Sequence, residues 1–443
     1  MKQSEHPDLV DPVGNWLSRP TSLIALALVL FLAHLLLIGA SLDLFSPYNF
    51  RGMWITIPDY DIGINDPDSA LTRIYYRLNG WDGQWYYHIA AWGYHCDSIP
   101  ESNNPSVCNV AFFPLVPMLG KALSLTGIDL VYALPLVSQL FYFSSILLLL
   151  CLIRSIGAMR PIHIVPVLLF MAYPGSLYQF TPYSEASLTF LVIALFSLSY
   201  WQLCKPSIGN WCLLAIAGFT ICLTKANGLM ALGIPVLMAL AYGWRERNFL
   251  APAQLQLYAA AAVGSLGLVS FLIYSELQFG QWDLYFSYVT RGWAGWADGT
   301  NVGLEWNPIA ILSKFQWPEH LPGRVSNFLL LFMLPVIAWL ALVTWKEQSN
   351  QSFVALTSLG MIILYYYFHS ALPNAVGAGI TNYPRHLVPV VGMCTILLIV
   401  ARPPKPDWLP SWALTSLLTG FVAIELYFQK QFLDLFRYGL WVS

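Results

Sequence analysis

The chain has 443 residues, of which 57% are hydrophobic and only 10% are charged. An average soluble domain carries about 25% charged residues, so this composition predicts a multi-pass membrane protein. A formal net charge of −2 provides no basic field that would attract nucleic acid, which excludes that class of partner.

Apolar runs along the chain predict its membrane spans. A helix that crosses the hydrocarbon core needs about 17 to 25 largely apolar residues. Eleven runs meet this length, so we predict an all-α polytopic membrane protein. The predicted spans are residues 22–41, 131–153, 162–180, 186–204, 208–224, 228–244, 253–275, 325–345, 352–369, 386–401 and 408–425. A further run, 110–120, is too short to cross and contains Pro114 and Pro117, so we expect an interfacial or re-entrant helix there.

The distribution of Lys and Arg predicts which side each connection faces. With a cytoplasmic N-terminus, ten basic residues fall in the inner connections, whereas the short outer connections carry only Lys225 and Arg385. Two long segments then lie outside, 42–130 and 276–324, and the second is rich in Trp, as expected of a cap in the membrane interface. We therefore predict one domain, 1–443, with its site on the non-cytoplasmic face.

The first apolar run, 22–41, has two interpretations. One is a cleaved signal peptide, since residues 39–41 are small. A retained first helix is favoured, because acids lie among the leading residues and the run exceeds the usual signal-peptide core of about 7–15 residues.

The aromatic motif in the first outer segment is the most informative stretch of the chain. It reads G-W-D-G-Q-W-Y-Y-H-I-A-A-W-G-Y, and A-F-F-P-L-V-P follows after a short insert. If the motif is helical, four of its side chains lie on one face of the helix and form a stripe suited to the lipid headgroup layer. They are Trp81, Trp85, His88 and Trp92. The motif also sets Asp82 at the membrane edge, where a carboxylate can meet lipid-borne substrates. The alternative role for Asp82 is a helix N-cap.

Two of the seven cysteines, Cys96 and Cys108, lie together in the insert of this motif. An oxidising compartment would allow a disulfide between them. Two unpaired thiols are the alternative.

Ionisable residues stand at the outer ends of three later spans. A charge in the bilayer costs about 2.5–3.5 kcal/mol on insertion scales, so such groups usually face a water-filled or protein-lined cavity. Glu185 opens the fourth span in P-Y-S-E, and Lys225 closes the fifth in T-K-A-N-G. Arg385 and His386 open the tenth span in N-Y-P-R-H. Each residue also has a structural alternative. Glu185 could be a first-turn acid favoured by the helix dipole, Lys225 a lysine that snorkels to the interface, and Arg385 an anchor for lipid headgroups.

Four motifs over residues 80–229 resemble, in sequence and in order, those of the GPI mannosyltransferase 2 (PIG-V) family. They are W-D-G-Q-W-Y-Y-H, A-F-F-P-L-V-P, P-Y-S-E-A-S-L and T-K-A-N-G-L. That family belongs to the C-type integral-membrane glycosyltransferases, so the resemblance implies their fold and an inverting transfer on the non-cytoplasmic face. It implies a hexose donor, mannose in the family, on a polyprenyl or dolichyl monophosphate. The implied acceptor is a lipid-linked or membrane-proximal glycan. The implied general base is an acidic residue of the first outer loop, which the motif places at Asp82.

The chemistry implied by the resemblance assigns roles to the other residues. Arg385, Lys225 and His386 are candidates for binding the donor phosphate, whose negative charge grows as it leaves. Glu185 is the second candidate catalytic carboxylate. Substrate contacts are expected from Trp81, Trp85, Tyr86, Tyr183 and Asn227. No cofactor and no metal are expected, since the donor is a monophosphate ester.

The chain departs from the family pattern at two places. Lys225 and Ala226 stand where Arg and Ser are expected, and the insert before Ala111 is longer. The acceptor therefore stays open, because a prokaryotic homologue has no GPI precursor to modify. We expect the plasma membrane of a prokaryote, with the endoplasmic reticulum as the alternative. A transporter or flippase of lipid-linked sugars is less favoured, since its binding residues should lie in mid-membrane. A non-catalytic subunit of a glycosylation complex is the third option.

Overall fold

The computed structural model describes residues 19–43, 69–80, 82–97, 108–157, 164–288, 350–375, 385, 387–401 and 411–437. Over these ranges the regular secondary structure is helical, and an isolated β-bridge pairs Cys96 with Cys108. The described helices are α1 (Pro20–Asp43), α2 (Ala70–Leu78), α3 (Asp82–Trp92), α4 (Leu115–Ser124), α5 (Leu130–Ser155), α6 (Val165–Ala172), a 3₁₀ segment (Pro174–Gln179), α7 (Ser184–Cys204), α8 (Ile208–Cys222), α9 (Gly228–Ala231), α10 (Gly233–Glu246), α11 (Pro252–Phe279), α12 (Leu284–Tyr288), α13 (Asn350–Ala375), α14 (Val388–Ala401) and α15 (Ser411–Arg437).

Five stretches among the described helices are long and apolar enough to cross a membrane. They are Pro20–Leu42, Leu130–Ser155, Ser184–Cys204, Gly228–Glu246 and Pro252–Phe279. The protein is therefore an all-α polytopic membrane protein, as the composition predicts. The span predicted at 325–345 and most of the predicted cap at 276–324 fall outside the described residues, so the count of eleven spans stays a prediction.

Two predicted spans differ most from the helices that the structure shows, and a third, 228–244, is divided between α9 and α10 at Leu232. The run 162–180 is not one helix, because α6 ends at Ala172 and the chain continues as the 3₁₀ segment. Pro174 explains the break, since Tyr173 before it adopts extended backbone with ψ of 132°. The last predicted span, 408–425, stops short of the end of α15, which continues to Arg437.

The short run 110–120 becomes helix α4, which begins at Leu115 after Pro114 and packs against α3 and α5. The residues before it form turns, and Phe113 is fully buried there. The expectation of a short helix next to the aromatic motif is thus confirmed.

Helix α7 lies at the centre of the bundle and packs against α5, α8, α10 and α14. Its side chains are buried along most of its length, including small polar ones such as Ser197 and Ser199. Helix α1 lies at the rim, where large apolar side chains such as Val29 and Leu36 are exposed, as expected of a surface facing lipid. The first residues of α7 are therefore held by the interior of the protein.

Glycines allow α8 and α11 to approach closely. A Cβ atom added at Gly264 would lie 2.9 Å from the backbone of Gly218, and one added at Gly267 would meet the carbonyl oxygen of Phe219. Such contacts between small residues drive helix association in lipid, where the hydrophobic effect offers little. This packing fixes α8, from whose end the T-K-A-N-G turn emerges.

A hydrogen-bonded group of side chains, which we call the inner network, joins four segments away from the helix ends. It comprises His34 of α1, Tyr142 of α5, Ser176 of the 3₁₀ segment and Gln429 of α15, and all four are buried. His34 Nδ1 lies 2.6 Å from the Tyr142 hydroxyl, and its Nε2 lies 3.0 Å from the Gln429 amide. Gln429 also donates to Ser176. The network pins the 3₁₀ segment that leads directly into P-Y-S-E.

Candidate active site

Four charged side chains meet in one place, and we call them the charged cluster: Asp82, Glu185, Lys225 and Arg385. Arg385 Nη1 donates to Asp82 Oδ2 at 2.5 Å, and Arg385 Nε donates to Glu185 Oε1 at 2.8 Å. Lys225 Nζ donates to the same Glu185 oxygen at 3.2 Å. Arg385 thus links two carboxylates, and Glu185 links two cations.

The cluster is assembled from four helix boundaries. Asp82 is the first residue of α3, and Glu185 lies in the first turn of α7. Lys225 lies in the connection between α8 and α9, and Arg385 lies three residues before the start of α14 at Val388. The sequence singles out Asp82 for its place in the aromatic motif, and Glu185, Lys225 and Arg385 for their places at predicted span ends. The structure shows that those ends converge.

The close approach of α3 to the P-Y-S-E motif depends on Gly83. A Cβ added at Gly83 would lie 3.1 Å from Cγ of Pro182, which is tighter than an ordinary contact. The amide of Gly83 also donates to the carbonyl of Gly80 at 3.0 Å, which closes the turn that carries Asp82. The glycine of W-D-G therefore lets the Asp82 carboxylate reach the start of α7.

The turn that carries Lys225 depends on Gly228. A Cβ added there would lie 2.1 Å from the carbonyl oxygen of Ile221, which is backbone and cannot move aside. The amide of Gly228 donates to the Lys225 carbonyl at 2.8 Å. From α13, the Tyr365 hydroxyl donates to the Asn227 carbonyl at 3.0 Å and holds the turn from the other side.

The four side chains of the charged cluster differ in how deeply they are buried. The exposed fractions of the side chains are 1% for Glu185, 7% for Asp82 and 10% for Arg385, against 24% for Lys225. Lys225 is thus the member that solvent or a ligand reaches most easily. Two carboxylates and two cations balance in formal charge, as expected of ions held away from water.

The electrostatic surroundings keep Arg385 charged. Burial alone would lower the pKa of its guanidinium, but the carboxylates of Asp82 and Glu185 raise that pKa well above its ordinary value. Breaking a buried pair by removing one partner typically costs about 3–5 kcal/mol, whereas apolar replacement of the whole pair is often neutral. Packing therefore does not require such a cluster, and ionised groups of this kind concentrate at functional sites.

Two tyrosines surround the Arg385 guanidinium. Its central carbon lies 4.6 Å from the ring centre of Tyr183 and 5.8 Å from that of Tyr178. The two rings stack with 5.5 Å between their centres. Sequence reasoning missed Tyr178, because it lies in the 3₁₀ segment, where no helical spacing marks it.

The aromatic motif is helical, as predicted, but its residues have different surroundings. Trp85 stacks on Phe112 with 5.8 Å between ring centres. Burial raises the pKa of the Tyr86 phenol, and the negative charge of Glu185 raises it further. Trp92 is largely exposed. The predicted stripe thus includes one side chain packed inside and one on the surface.

The structure also addresses two alternatives that the sequence leaves open. Asp82 is a helical residue whose carboxylate pairs with Arg385, so the bond that the structure gives it is not a capping bond. Cys96 and Cys108 form a disulfide, so of the two alternatives for these cysteines the structure shows the bridged one. Trp81 and His386, both predicted site residues, fall outside the described residues. Within the described ranges, no group of three or more His, Cys, Asp or Glu side chains is arranged to hold a metal ion.

No family model matches the chain, and no curated protein matches it. Among solved structures, it is similar to the oligosaccharyltransferase AglB of Archaeoglobus fulgidus in complex with an inhibitory peptide and a dolichol-phosphate. That match has a TM-score of 0.47 and 14% identity, and it covers 94% of this chain and 56% of the other. An oligosaccharyltransferase from the same organism, tethered with an acceptor peptide, matches with a TM-score of 0.46 and 13% identity over 95% of this chain and 55% of the other. The chain spans about half the length of these structures.

Proposed function

We propose that the protein is an inverting glycosyltransferase that uses a lipid-linked sugar donor. The donor is a hexose, mannose by the family resemblance, on a polyprenyl or dolichyl monophosphate. The acceptor is a lipid-linked or membrane-proximal glycan on the non-cytoplasmic face. The observation that carries the proposal is the convergence of Asp82, Glu185, Lys225 and Arg385 at four helix boundaries.

The reaction needs one base and a stabilised leaving group. Asp82 removes the proton from an acceptor hydroxyl, and the hydroxyl oxygen attacks the anomeric carbon of the sugar. The bond from that carbon to the phosphate oxygen breaks, and its electron pair leaves with the polyprenyl phosphate. Inverting glycosidases use the same in-line geometry, with water in place of the acceptor. The products are a glycosylated acceptor of inverted configuration and a polyprenyl phosphate.

The bonding of Asp82 suits it to the role of base. Its Oδ2 accepts the hydrogen bond from Arg385, which fixes the orientation of the carboxylate. We assign the acceptor proton to the second oxygen, Oδ1. Because Arg385 contacts both Asp82 and the proposed phosphate site, the base and the leaving group are held by one guanidinium.

The cations are assigned to the donor phosphate. Arg385 uses Nε for Glu185 and Nη1 for Asp82, and a guanidinium has further N–H groups that fit a phosphate oxygen. Lys225 is the most exposed member of the cluster and suits first contact with an incoming anion. Negative charge that builds on the leaving phosphate is stabilised by such preorganised cations. The deeply buried Glu185 then serves to hold both cations rather than to exchange protons with substrate.

The other predicted site residues remain proposals. Trp85, Tyr86 and Asn227, together with Trp81, are assigned to sugar or lipid contacts near the charged cluster. His386 is assigned to the phosphate beside Arg385. We place the protein in the plasma membrane of a prokaryote, with the cytoplasmic N-terminus that its basic residues predict.

Product analysis tests this function directly. Purified protein in lipid vesicles is mixed with synthetic polyprenyl-phosphate mannose, or with the glucose analogue, and with lipid extracts as acceptors. Mass spectrometry should show an acceptor heavier by one hexose together with free polyprenyl phosphate. Movement of the intact donor between leaflets without any hexosylated product would instead indicate a transporter. Absence of both transfer and movement would contradict the proposal.

A further inference from the structure

Tyr183 contacts both Arg385 and the turn that carries Asp82. It stands directly before α7, and its side chain is fully buried. The hydroxyl donates to the carbonyl oxygen of Gly80 at 2.9 Å. The ring lies against the Arg385 guanidinium, with 4.6 Å between the ring centre and the guanidinium carbon. One side chain therefore reaches the backbone beside the proposed base and the cation that holds this base.

The bond to Gly80 determines where α3 begins. The Gly80 carbonyl accepts from the Tyr183 hydroxyl and also from the amide of Gly83 at 3.0 Å. A carbonyl oxygen has two lone pairs, so both bonds form together. Asp82 lies between these two glycines. Fixing the Gly80 carbonyl therefore fixes the first turn of α3 and the direction of the Asp82 carboxylate.

The contact with Arg385 has a different consequence. An aromatic face attracts a guanidinium, and the attraction grows when both groups are removed from water. The ring of Tyr178 stacks on that of Tyr183 and lies near the same guanidinium, with 5.8 Å between its centre and the guanidinium carbon. Glu185, two residues further on, binds Nε of the same arginine. The short P-Y-S-E motif thus holds Arg385 by a ring face and by a carboxylate at once.

We propose that Tyr183 is a positioning residue that aligns the Asp82 carboxylate with the Arg385 guanidinium for sugar transfer. The proposal rests on the proposed function, and it revises the expectation from sequence that Tyr183 binds substrate. With its hydroxyl bonded to backbone and its ring on Arg385, the side chain acts through these two residues.

The test separates the hydroxyl from the ring. Tyr183→Phe removes only the hydroxyl, so kcat should fall about tenfold, the rate equivalent of one lost hydrogen bond. The KM for polyprenyl-phosphate mannose should stay unchanged, because the ring still supports Arg385. Tyr183→Leu removes the ring as well and should also raise that KM.

Tyr94→Phe provides a matched control. The Tyr94 hydroxyl donates to the backbone carbonyl of Phe112 at 2.6 Å, a bond of the same kind that touches neither Asp82 nor Arg385. This variant should keep the wild-type kcat. If Tyr183→Phe also keeps it, or if both variants lose activity equally, the positioning role is wrong.

A double variant distinguishes positioning from general damage. If Tyr183 acts through Asp82, adding Tyr183→Phe to Asp82→Asn should slow the residual transfer no further, because the two effects share one step. A loss that multiplies with that of Asp82→Asn would contradict the proposal.

Hydrogen exchange gives a readout that does not depend on transfer. Amides in the first turn of α3 should exchange faster in Tyr183→Phe than in the wild type or in Tyr94→Phe, because the Gly80 carbonyl loses one of its two anchors. Unchanged exchange would overturn the positioning role even if transfer is confirmed. Faster exchange in a protein that transfers no sugar would instead mean that the proposed function has failed.

Discussion

The charged cluster and the inner network are both buried polar assemblies, and they differ in charge. Each joins four segments that are far apart in sequence. The inner network does so with hydroxyl, amide and imidazole groups, whereas the charged cluster uses two carboxylates and two cations. Ions cost several kcal/mol each to remove from water, far more than neutral polar groups. The inner network shows that hydrogen bonds between neutral polar groups can hold these helices together. Packing alone therefore does not require ions at the helix boundaries.

The largest expected effect comes from Arg385→Leu. The substitution leaves the carboxylates of Asp82 and Glu185 buried with Lys225 as their one remaining partner from the charged cluster. We expect transfer to be abolished and the free energy of unfolding to fall by about 3–5 kcal/mol, as for other broken buried pairs. Adding Asp82→Asn should recover part of the stability, measured by thermal unfolding in detergent, while the protein stays inactive. Full activity in Arg385→Leu would remove this residue from the mechanism.

The disulfide variant Cys96→Ser with Cys108→Ser tests whether lost stability alone abolishes transfer. The two bridged cysteines are 12 residues apart in sequence. In the chain-entropy model, a disulfide that closes a loop of similar size stabilises the folded state by about 3 kcal/mol. The loss should be local, since the bridge packs near α12 rather than at the charged cluster. Folded protein should keep most of its kcat. Loss of transfer in well-folded variant protein would show that the insert shapes the site.

Gln429→Leu tests the inner network. The change removes the amide partner of His34 Nε2 and should lower the free energy of unfolding by about 1–3 kcal/mol, the cost of leaving a buried polar group unsatisfied. Transfer per folded molecule should stay close to wild type, because the network holds helices and touches no member of the charged cluster. If kcat fell as steeply as in the Arg385 variant, the distinction between the two assemblies would be wrong.

Lys225→Arg should have the smallest effect. Arginine keeps the charge and adds a planar fork that fits phosphate. We expect the KM for the lipid-phosphate donor to fall a few-fold with kcat unchanged, measured by donor titration in vesicles. Lys225→Gln, which removes the charge at similar length, serves as the opposing control and should raise that KM. No response of KM to either change would place Lys225 away from the phosphate.

The sequence predicted much of the membrane architecture, and it singled out each of the four residues that meet in the charged cluster. Composition and apolar runs indicate α1, α5, α7 and α11, because lipid imposes length and apolarity on each span. The break before Pro174 follows from the preference of residues that precede proline, which the count of apolar residues ignores. The contacts within the charged cluster could not be predicted, since no spacing shows that Arg385 would bond to both Asp82 and Glu185, which lie 303 and 200 residues away in sequence. Tyr178 was missed because it lies in the 3₁₀ segment, where no helical spacing marks it.

Single-turnover transfer by Asp82→Asn tests the central claim most directly. Asn keeps an oxygen that can accept from Arg385 but cannot take a proton at neutral pH. Asp129→Asn is the matched control, because Asp129 caps α5 by accepting from the Val131 amide, and Asn caps equally well. We predict that Asp82→Asn folds normally and transfers about 10²–10⁴-fold more slowly, the usual share of general-base catalysis, while Asp129→Asn matches the wild type. Transfer by Asp82→Asn at more than about a tenth of the wild-type rate would contradict the assignment of Asp82 as the base.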